Sequence, residues 1–466
     1  MDNQSEFQLL DDGMDAFIAR MFVIEQAKET LDLKSFIFKE DPVGRVILSK
    51  LQKAAERGVS VRLLIDDLWS GSKDQLLLAY DAHPNIEIKL FNPLSRRIFW
   101  VFQYLFRFGS ITRRMHNKAL IADDRLAVSG GRNIALEYFG LDDNTNFCDL
   151  DILTKGPIVK NLSGSFNDFW SHSLSVPISQ LKRKLNSAEA KTVREHNRAY
   201  VASISDHKDV HEYAEAALET ATNDERNYVR GDGYLISDSP DKVIQNRKRV
   251  DLHLSDKMEQ LFKSARKEVI VVTPYFIPGK LGLEGFTQLV RKGIRVVVIT
   301  NSLSSNNHNI VHAHYANYRK KMLQAGVEIY ELCSHNTKVE KLLKEETLRD
   351  RVRRRILNKK QVLHAKTYVF DRNKLFIGSL NLDPRSWVEN TELGMIIKSS
   401  SLGNEFGKWV DKEVKKSAYR LSFNSATNNI IWEQADGSRL VSEPDATVWK
   451  KLKLKVFSKL PIESWL

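Results

Sequence analysis

Residues 116–133 read HNKALIADDRLAVSGGRN, and residues 364–381 read HAKTYVFDRNKLFIGSLN. His116, Lys118, Asp123, Gly130, Gly131 and Asn133 of the first stretch return as His364, Lys366, Asp371, Gly378, Ser379 and Asn381 of the second, at one constant offset. With 12 histidines to start from, one such match arises by chance on the order of once in ten thousand chains, and two far less often. The chain is therefore built twice on one plan.

Each copy reads as an apolar strand, a polar turn carrying Asp, and a second strand ending at Gly. A plain hairpin explains that much, but it needs neither His and Lys on one face nor an Asn after the glycine. On an extended strand, residues two apart point the same way, so His116 and Lys118 share a face, as do His364 and Lys366. If both sets converge, two imidazoles, two ammonium groups and two amides line one pocket, a set suited to a phosphate diester. Asp123 and Asp371 stand an odd number of residues from their histidines and point elsewhere, which marks them as turn formers and not as acids of the reaction.

The doubled His-x-Lys-x-x-x-x-Asp with a following Gly-Gly/Ser-x-Asn resembles the phospholipase D superfamily. That resemblance implies a two-step displacement through a phosphohistidine, with no metal and no cofactor. It narrows on further phrases: RRMHNK, GGRN followed by YFG, FCDLDILTKGPIV, TNSL, VHAHYANYRKKML, GVEIYEL and DPRSWVENTELG are together similar to bacterial cardiolipin synthases, most of all the cardiolipin synthase C branch. Two departures stand out: the family commonly has Gly where His314 stands, and 181–250 has no clear counterpart.

Working outward from the motifs, AKETLDLKSFIF predicts a strand after a helix, SKLQKAAERGVSVRLLIDD an amphipathic helix, a turn at Gly58 and a buried strand, and HPNIEIKLFNP another strand. The second half repeats the order in SARKEVIVVTPYFIP, FTQLVRKGIRVVVITNS and LQAGVEIYEL. Alternating strands and helices closed by a hairpin predict α/β layers on a mostly parallel sheet, made twice and meeting at a shared site. The expected organisation is a first domain over 1–175, a polar helical linker and surface excursion over 176–250, a second domain over 251–400, and an extension over 401–466 packed on the domains or on a membrane surface.

A chain of 466 residues exceeds one ordinary domain. Its net charge of +12 favours anionic partners without choosing between nucleic acid and anionic lipid. Cys148 and Cys333 are too few for a disulfide framework or a thiolate metal site. MDNQSEFQLLDDGMDAF has no basic region before an apolar core, so no signal peptide is expected in it. No apolar run reaches the length of a membrane-spanning helix, and any membrane attachment is expected to be peripheral.

One stretch leans towards a membrane surface. LSRRIFWVFQYLFRFGSITRRM, residues 94–115, sets Phe99, Trp100, Phe102, Tyr104 and Phe106 among arginines that include Arg113 and Arg114, a composition suited to the headgroup boundary. A core element capping the domain is the competing reading. The basic tail TVWKKLKLKVFSKLPIESWL shares the character, and a helix docked on the second domain explains it equally well. RDRVRRR at 349–355 suits lipid headgroups, a nucleic-acid backbone or a solvated face.

Sliding NTELGMII over NFCDLDIL puts Glu392 beside Asp149. A carboxylate on one imidazole nitrogen decides which nitrogen is free to attack and stabilises the charged ring, the role expected of Asp149 and Glu392. By resemblance, His116 is the nucleophile and His364 the acid and base, with Lys118, Lys366, Asn133 and Asn381 on the non-bridging oxygens. Tyr275, Asn301, His312 and Arg385 match family positions near the site as lipid-binding or loop-positioning residues. The resemblance implies cardiolipin made from phosphatidylglycerol and phosphatidylethanolamine, peripherally on the bacterial inner membrane, with no nucleic-acid partner. Hydrolysis to phosphatidic acid, a nuclease of the same superfamily and a catalytically dead lipid-binding protein are the other readings.

Overall fold

A computed structural model describes residues 4–69, 74–94, 112–181, 184–203, 227–247, 249–334 and 359–466. The aromatic positions 99–106 and the arginine run 349–355 lie outside the described residues. The chain resolves into two compact units. The first comprises Met1–Asp142, Leu150–His253 and Glu389–Gly394, and the second Asp143–Asp149, Leu254–Val388 and Met395–Leu466.

In the first unit, β1 (Ser5–Leu10), β2 (Thr30–Ser35), β3 (Ser60–Asp66), β4 (Ile86–Phe91), β5 (Ala119–Ala122) and β6 (Leu126–Gly130) form the sheet with three later strands. β2, β3 and β4 run parallel, and the β5–β6 hairpin joins antiparallel through β5 and β2. The motif's His116 therefore sits just ahead of a central strand. Buried Val, Leu and Ile on these strands supply the core. The strand pleat sends Asp32 and Lys34 to one face and Leu31 and Leu33 to the other. Lys34 lies over the Phe169 ring of helix Ile158–Trp170, while helices Gly13–Gln26 and Pro42–Glu56 pack together on their own apolar sides. Burial pushes the Lys34 ammonium down to about 7.

The second unit repeats this order, as the sequence predicts. With β7 (Thr145–Cys148), β8 (Asp151–Lys155), β9 (Ser175–Pro177) and β10 (Val229–Ser237) preceding them, β11 (Glu268–Val272), β12 (Arg295–Asn301) and β13 (Glu328–Leu332) run parallel. After β14 (Lys360–Leu363), the hairpin of β15 (Thr367–Phe370) and β16 (Lys374–Gly378) pairs through β15 with β11. An antiparallel addition, Ala418–Asn424 beside β13 followed by Asn429–Glu433, widens the sheet.

Val229–Ser237 corrects the linker reading of 176–250: β10 pairs antiparallel with β1 inside the first unit's sheet. Its alternation is masked in the text by Gly231, Asp232 and Gly233, and Gly233 is required because a Cβ there would stand 2.5 Å from the Phe7 ring.

Candidate active site

Each histidine is placed by a short segment borrowed from the other half of the sequence. In the first unit, His116 N donates to Thr391 O at 2.9 Å and Thr391 N to Arg114 O at 3.0 Å, a bridge that sets Glu392 beside the ring. His116 Nδ1 lies 2.8 and 3.0 Å from the two Glu392 carboxylate oxygens. In the second unit, β7 runs parallel to β14, and His364 N donates to Cys148 O at 2.7 Å. Asp149, next in the chain, stands 2.5 Å from His364 Nδ1. The two carboxylates expected to hold the histidines are therefore crossed between the repeats, and both are buried along with the histidines.

Fixing Nδ1 in this way leaves Nε2 as the ring nitrogen able to attack or to exchange a proton. The lysines follow their histidines: Lys118 Nζ reaches His116 O at 2.5 Å, and Lys366 Nζ bonds His364 O while lying 2.8 Å from His364 Nδ1 and 3.1 Å from Nε2. Asn133 accepts from Ile37 N at 3.1 Å and donates to the Tyr138 hydroxyl at 2.7 Å. Asn381 Oδ1 is buried with no hydrogen-bond partner among the described residues. Each unit thus collects His, Lys, Asn and a carboxylate: His116, Lys118, Asn133 and Glu392 in one, His364, Lys366, Asn381 and Asp149 in the other.

The residues around the motifs explain its small and charged letters. At Gly130 a side chain would meet Asp151 Oδ1 at 2.4 Å and Leu150 O at 2.6 Å, on a backbone with φ of 155°. Asp151 itself pairs with Arg20 at 2.9 Å, and Arg132 of GGRN is buried against the carbonyls of Leu10, Asp11 and Tyr138. Asp123 and Asp371 occupy the turns as expected, at φ of 53° and 51°. Each also receives three backbone N–H groups, those of Lys28, Glu29 and Thr30 or of Arg266, Lys267 and Glu268. Burial raises these carboxyls, but the three donors prevail and hold both below the ordinary value.

Two arginines assigned to the membrane-leaning stretch are structural instead. Arg114 is fully buried, 2.7 Å from Asp66, which also accepts from Met115 N at 2.8 Å; together they anchor the residues just before His116. Burial raises the Asp66 carboxyl even against Arg114. Arg113 is bonded to Glu389 at 2.9 Å. A hydrophobic neighbourhood in the text hid both pairings.

Of the four outlying residues, Asn301 clamps the peptide before His364, accepting from Leu363 N at 2.9 Å and donating to Leu363 O at 3.0 Å. Tyr275 turns its ring edge to His364 with centroids 6.4 Å apart. Burial first, and then Asp383 and Asp149, push its phenol up, so it stays protonated. Arg385 is placed by its N–H on Leu466 O at 2.8 Å and acts electrostatically on His308. His312 does not join this group: its ring faces Tyr315 and lies 3.8 Å from Glu443, in a buried cluster with Arg319 and Glu331.

Sequence reading missed several neighbours. Phe36 meets His116 edge-on at 5.0 Å, and Phe147 stacks on His364 at 5.1 Å. Asp238, at the end of β10, accepts from Glu392 N at 2.7 Å and from Lys242 Nζ at 2.9 Å. His308 contacts Tyr275 at 5.1 Å, and burial, then Arg385, lowers its pKa. Phe36 follows β2 whereas Phe147 lies within β7, so no shared place in the repeats marked them in the sequence.

A family profile described as "Cardiolipin synthase, PLD-like domain" matches residues 22–170 and 258–415. Cardiolipin synthase C of Escherichia coli K12 is 33% identical over 98% of this chain and 95% of its own length. A cardiolipin synthase of Clostridium perfringens is 25% identical over 88% of this chain and 71% of its own. Among solved structures, phosphatidylserine synthase of Haemophilus influenzae superposes with a TM-score of 0.62 at 15% identity, covering 99% of this chain and 95% of that one, a likeness of fold.

Proposed function

This chain belongs to the PLD-like cardiolipin synthase family, and on that premise we propose that it transfers a phosphatidyl group to the terminal hydroxyl of phosphatidylglycerol, with phosphatidylethanolamine as donor. The supporting observation is the pair of buried imidazoles, each with Nδ1 on a carboxylate and each with its own Lys two residues on turned back to it. The reading requires both imidazoles to address one phosphorus. Its support is that each repeat lends a carboxylate to the other's histidine, so neither half of the sequence makes a complete set alone.

His116 Nε2 attacks phosphorus in line, forming a P–N bond while the P–O bond to ethanolamine breaks. The departing oxygen takes a proton from His364 Nε2. The phosphatidylglycerol hydroxyl then gives its proton to His364 and attacks the same phosphorus, and the P–N bond breaks to release cardiolipin and a neutral His116. The order of the two histidines follows the superfamily resemblance. Lys118, Lys366, Asn133 and Asn381 bind the non-bridging oxygens as their charge grows, the electrostatic service a divalent ion renders in other diester enzymes. Asn301 holds the His364 backbone, and Tyr275 and Arg385 border the lipid headgroup. The setting is a phospholipid surface bound peripherally at the bacterial inner membrane; among the described residues no helix is long and apolar enough to cross a bilayer.

Purified protein incubated with phosphatidylethanolamine and phosphatidylglycerol vesicles is expected to yield cardiolipin and ethanolamine by mass. Phosphatidic acid alone would replace transfer by hydrolysis, and faster cleavage of plasmid DNA than of lipid would replace it by nuclease action. Full turnover by His116→Ala or His364→Ala would refute the shared phosphorus.

A further inference from the structure

Helix Val448–Phe457 is packed on the second unit with its apolar ridge turned outward. It lies against helix Asn309–Gln324, where Asn317 Nδ2 donates to Ser458 O at 3.0 Å. Leu454 and Phe457 are half-buried on that side, whereas Trp449, Leu452, Val456 and Leu460 are 72, 50, 55 and 38% exposed. Trp449, Leu452 and Val456 recur every three or four residues, so they form one stripe about 10 Å long on the helix, with Leu460 just past its end. A helix placed only for solubility keeps its large apolar side chains covered, and this one exposes Trp449, Leu452 and Val456.

The ridge is held in that attitude from both sides. Glu443, ahead of the helix, bonds Arg319, and Glu463, after it, bonds Tyr318, while Leu466 O receives the Arg385 N–H. Lys453, Lys455 and Lys459 are exposed along the ridge, with Lys450 and Lys451 half-buried at its margin. None of the five is paired with a carboxylate among the described residues, and the helix itself contains no acid.

We propose that this helix docks the protein on an anionic phospholipid surface, with the Trp449, Leu452, Val456 and Leu460 ridge entering the headgroup boundary and the lysines meeting lipid phosphates. Aliphatic and indole side chains bordered by unpaired lysines complement that boundary in both polarity and charge. A second copy of the chain is the poorer occupant, because an isologous contact would bring like lysine borders together. The choice of a phospholipid surface rests on the function proposed above, while the outward ridge stands independently of it.

The test is vesicle sedimentation of the full chain with phosphatidylcholine alone and with phosphatidylcholine mixed with phosphatidylglycerol. Replacing Trp449, Leu452 and Val456 together by Ser is expected to lower partitioning about tenfold or more with an unchanged thermal melt, since all three are exposed. Replacing Lys453, Lys455 and Lys459 by Gln is expected to lower binding to the anionic vesicles about tenfold and to remove most of its salt dependence. Wild-type partitioning by the Ser variant would overturn the inference. So would a concentration-dependent dimer, seen by sedimentation velocity, that the Ser variant abolishes without changing vesicle binding. Turnover of detergent-dispersed lipid separates the two readings. Ridge-dependent binding without any turnover refutes the transferase and leaves the docking face, and turnover with ridge-independent binding does the reverse.

Discussion

Glu392→Gln isolates the contribution of a carboxylate that lies in the second repeat of the sequence and serves the histidine of the first. The substitution keeps the size of the side chain and an oxygen for His116 Nδ1, now 2.8 Å away, but removes the negative charge. On the proposed route His116 bonds to phosphorus and its ring becomes cationic. With charge centres about 4 Å apart and an effective dielectric of about 20, the lost attraction is about 4 kcal/mol, which is about a thousandfold in kcat. KM should stay within about threefold, because the ring is neutral when the donor lipid binds and gains its charge only as the P–N bond forms. The assay is phosphatidyl transfer by product mass, with a thermal melt to establish that the variant is folded. A kcat within tenfold of wild type in a folded variant would refute the reasoning. The crossing itself is tested by double-mutant cycles on stability. His116 with Glu392, and His364 with Asp149, should couple by about 1 kcal/mol or more, and His116 with Asp149 more weakly than either bonded pair. The opposite pattern would mean that each half keeps its own carboxylate.

Asp123→Asn and Asp371→Asn each remove a charged acceptor for three backbone donors, and each should cost about 2 kcal/mol in denaturant unfolding while leaving lipid turnover within a few-fold. Because burial is outweighed and their folded pKa values are lowered from 3.8, their contribution is complete above that value and fades as pH falls through the lower folded pKa. The difference in melting temperature between wild type and either variant should therefore close in acid and nowhere else. Asn301→Ala frees the Leu363 peptide and lets His364 drift, so kcat should fall about tenfold to a hundredfold with little change in KM, and an unchanged kcat would remove Asn301 from the positioning of His364. Cys148 is exposed, whereas burial pushes the half-buried Cys333 thiol up to about 11. A thiol reagent near pH 7 should modify Cys148 first in a peptide map, and Cys333 reacting first would contradict the burial order.

The doubled His, Lys and Asn, the hairpins that follow each His, and the parallel strands between amphipathic helices were all legible in the amino-acid text. Each rests on local spacing: two residues along a strand and three to four along a helix. The roles of Asp123 and Asp371 as turn residues were legible for the same reason, although their grip on the strand openings at Thr30 and Glu268 was not, because that contact joins residues some ninety or more apart. The pairing of Glu392 with His116 and of Asp149 with His364 was decided only in three dimensions. A hydrogen bond is read by direction and distance, and neither is encoded in the register of two aligned stretches. The same holds for β10, whose glycines hide a strand in the text, for Arg114, whose buried bond to Asp66 resembles a surface charge when only its aromatic neighbours are visible, and for helix Val448–Phe457. Its composition allowed both a docked helix and a membrane-facing one, and packing made it docked on the side of Leu454 and Phe457 and open on the side of Trp449 and Val456.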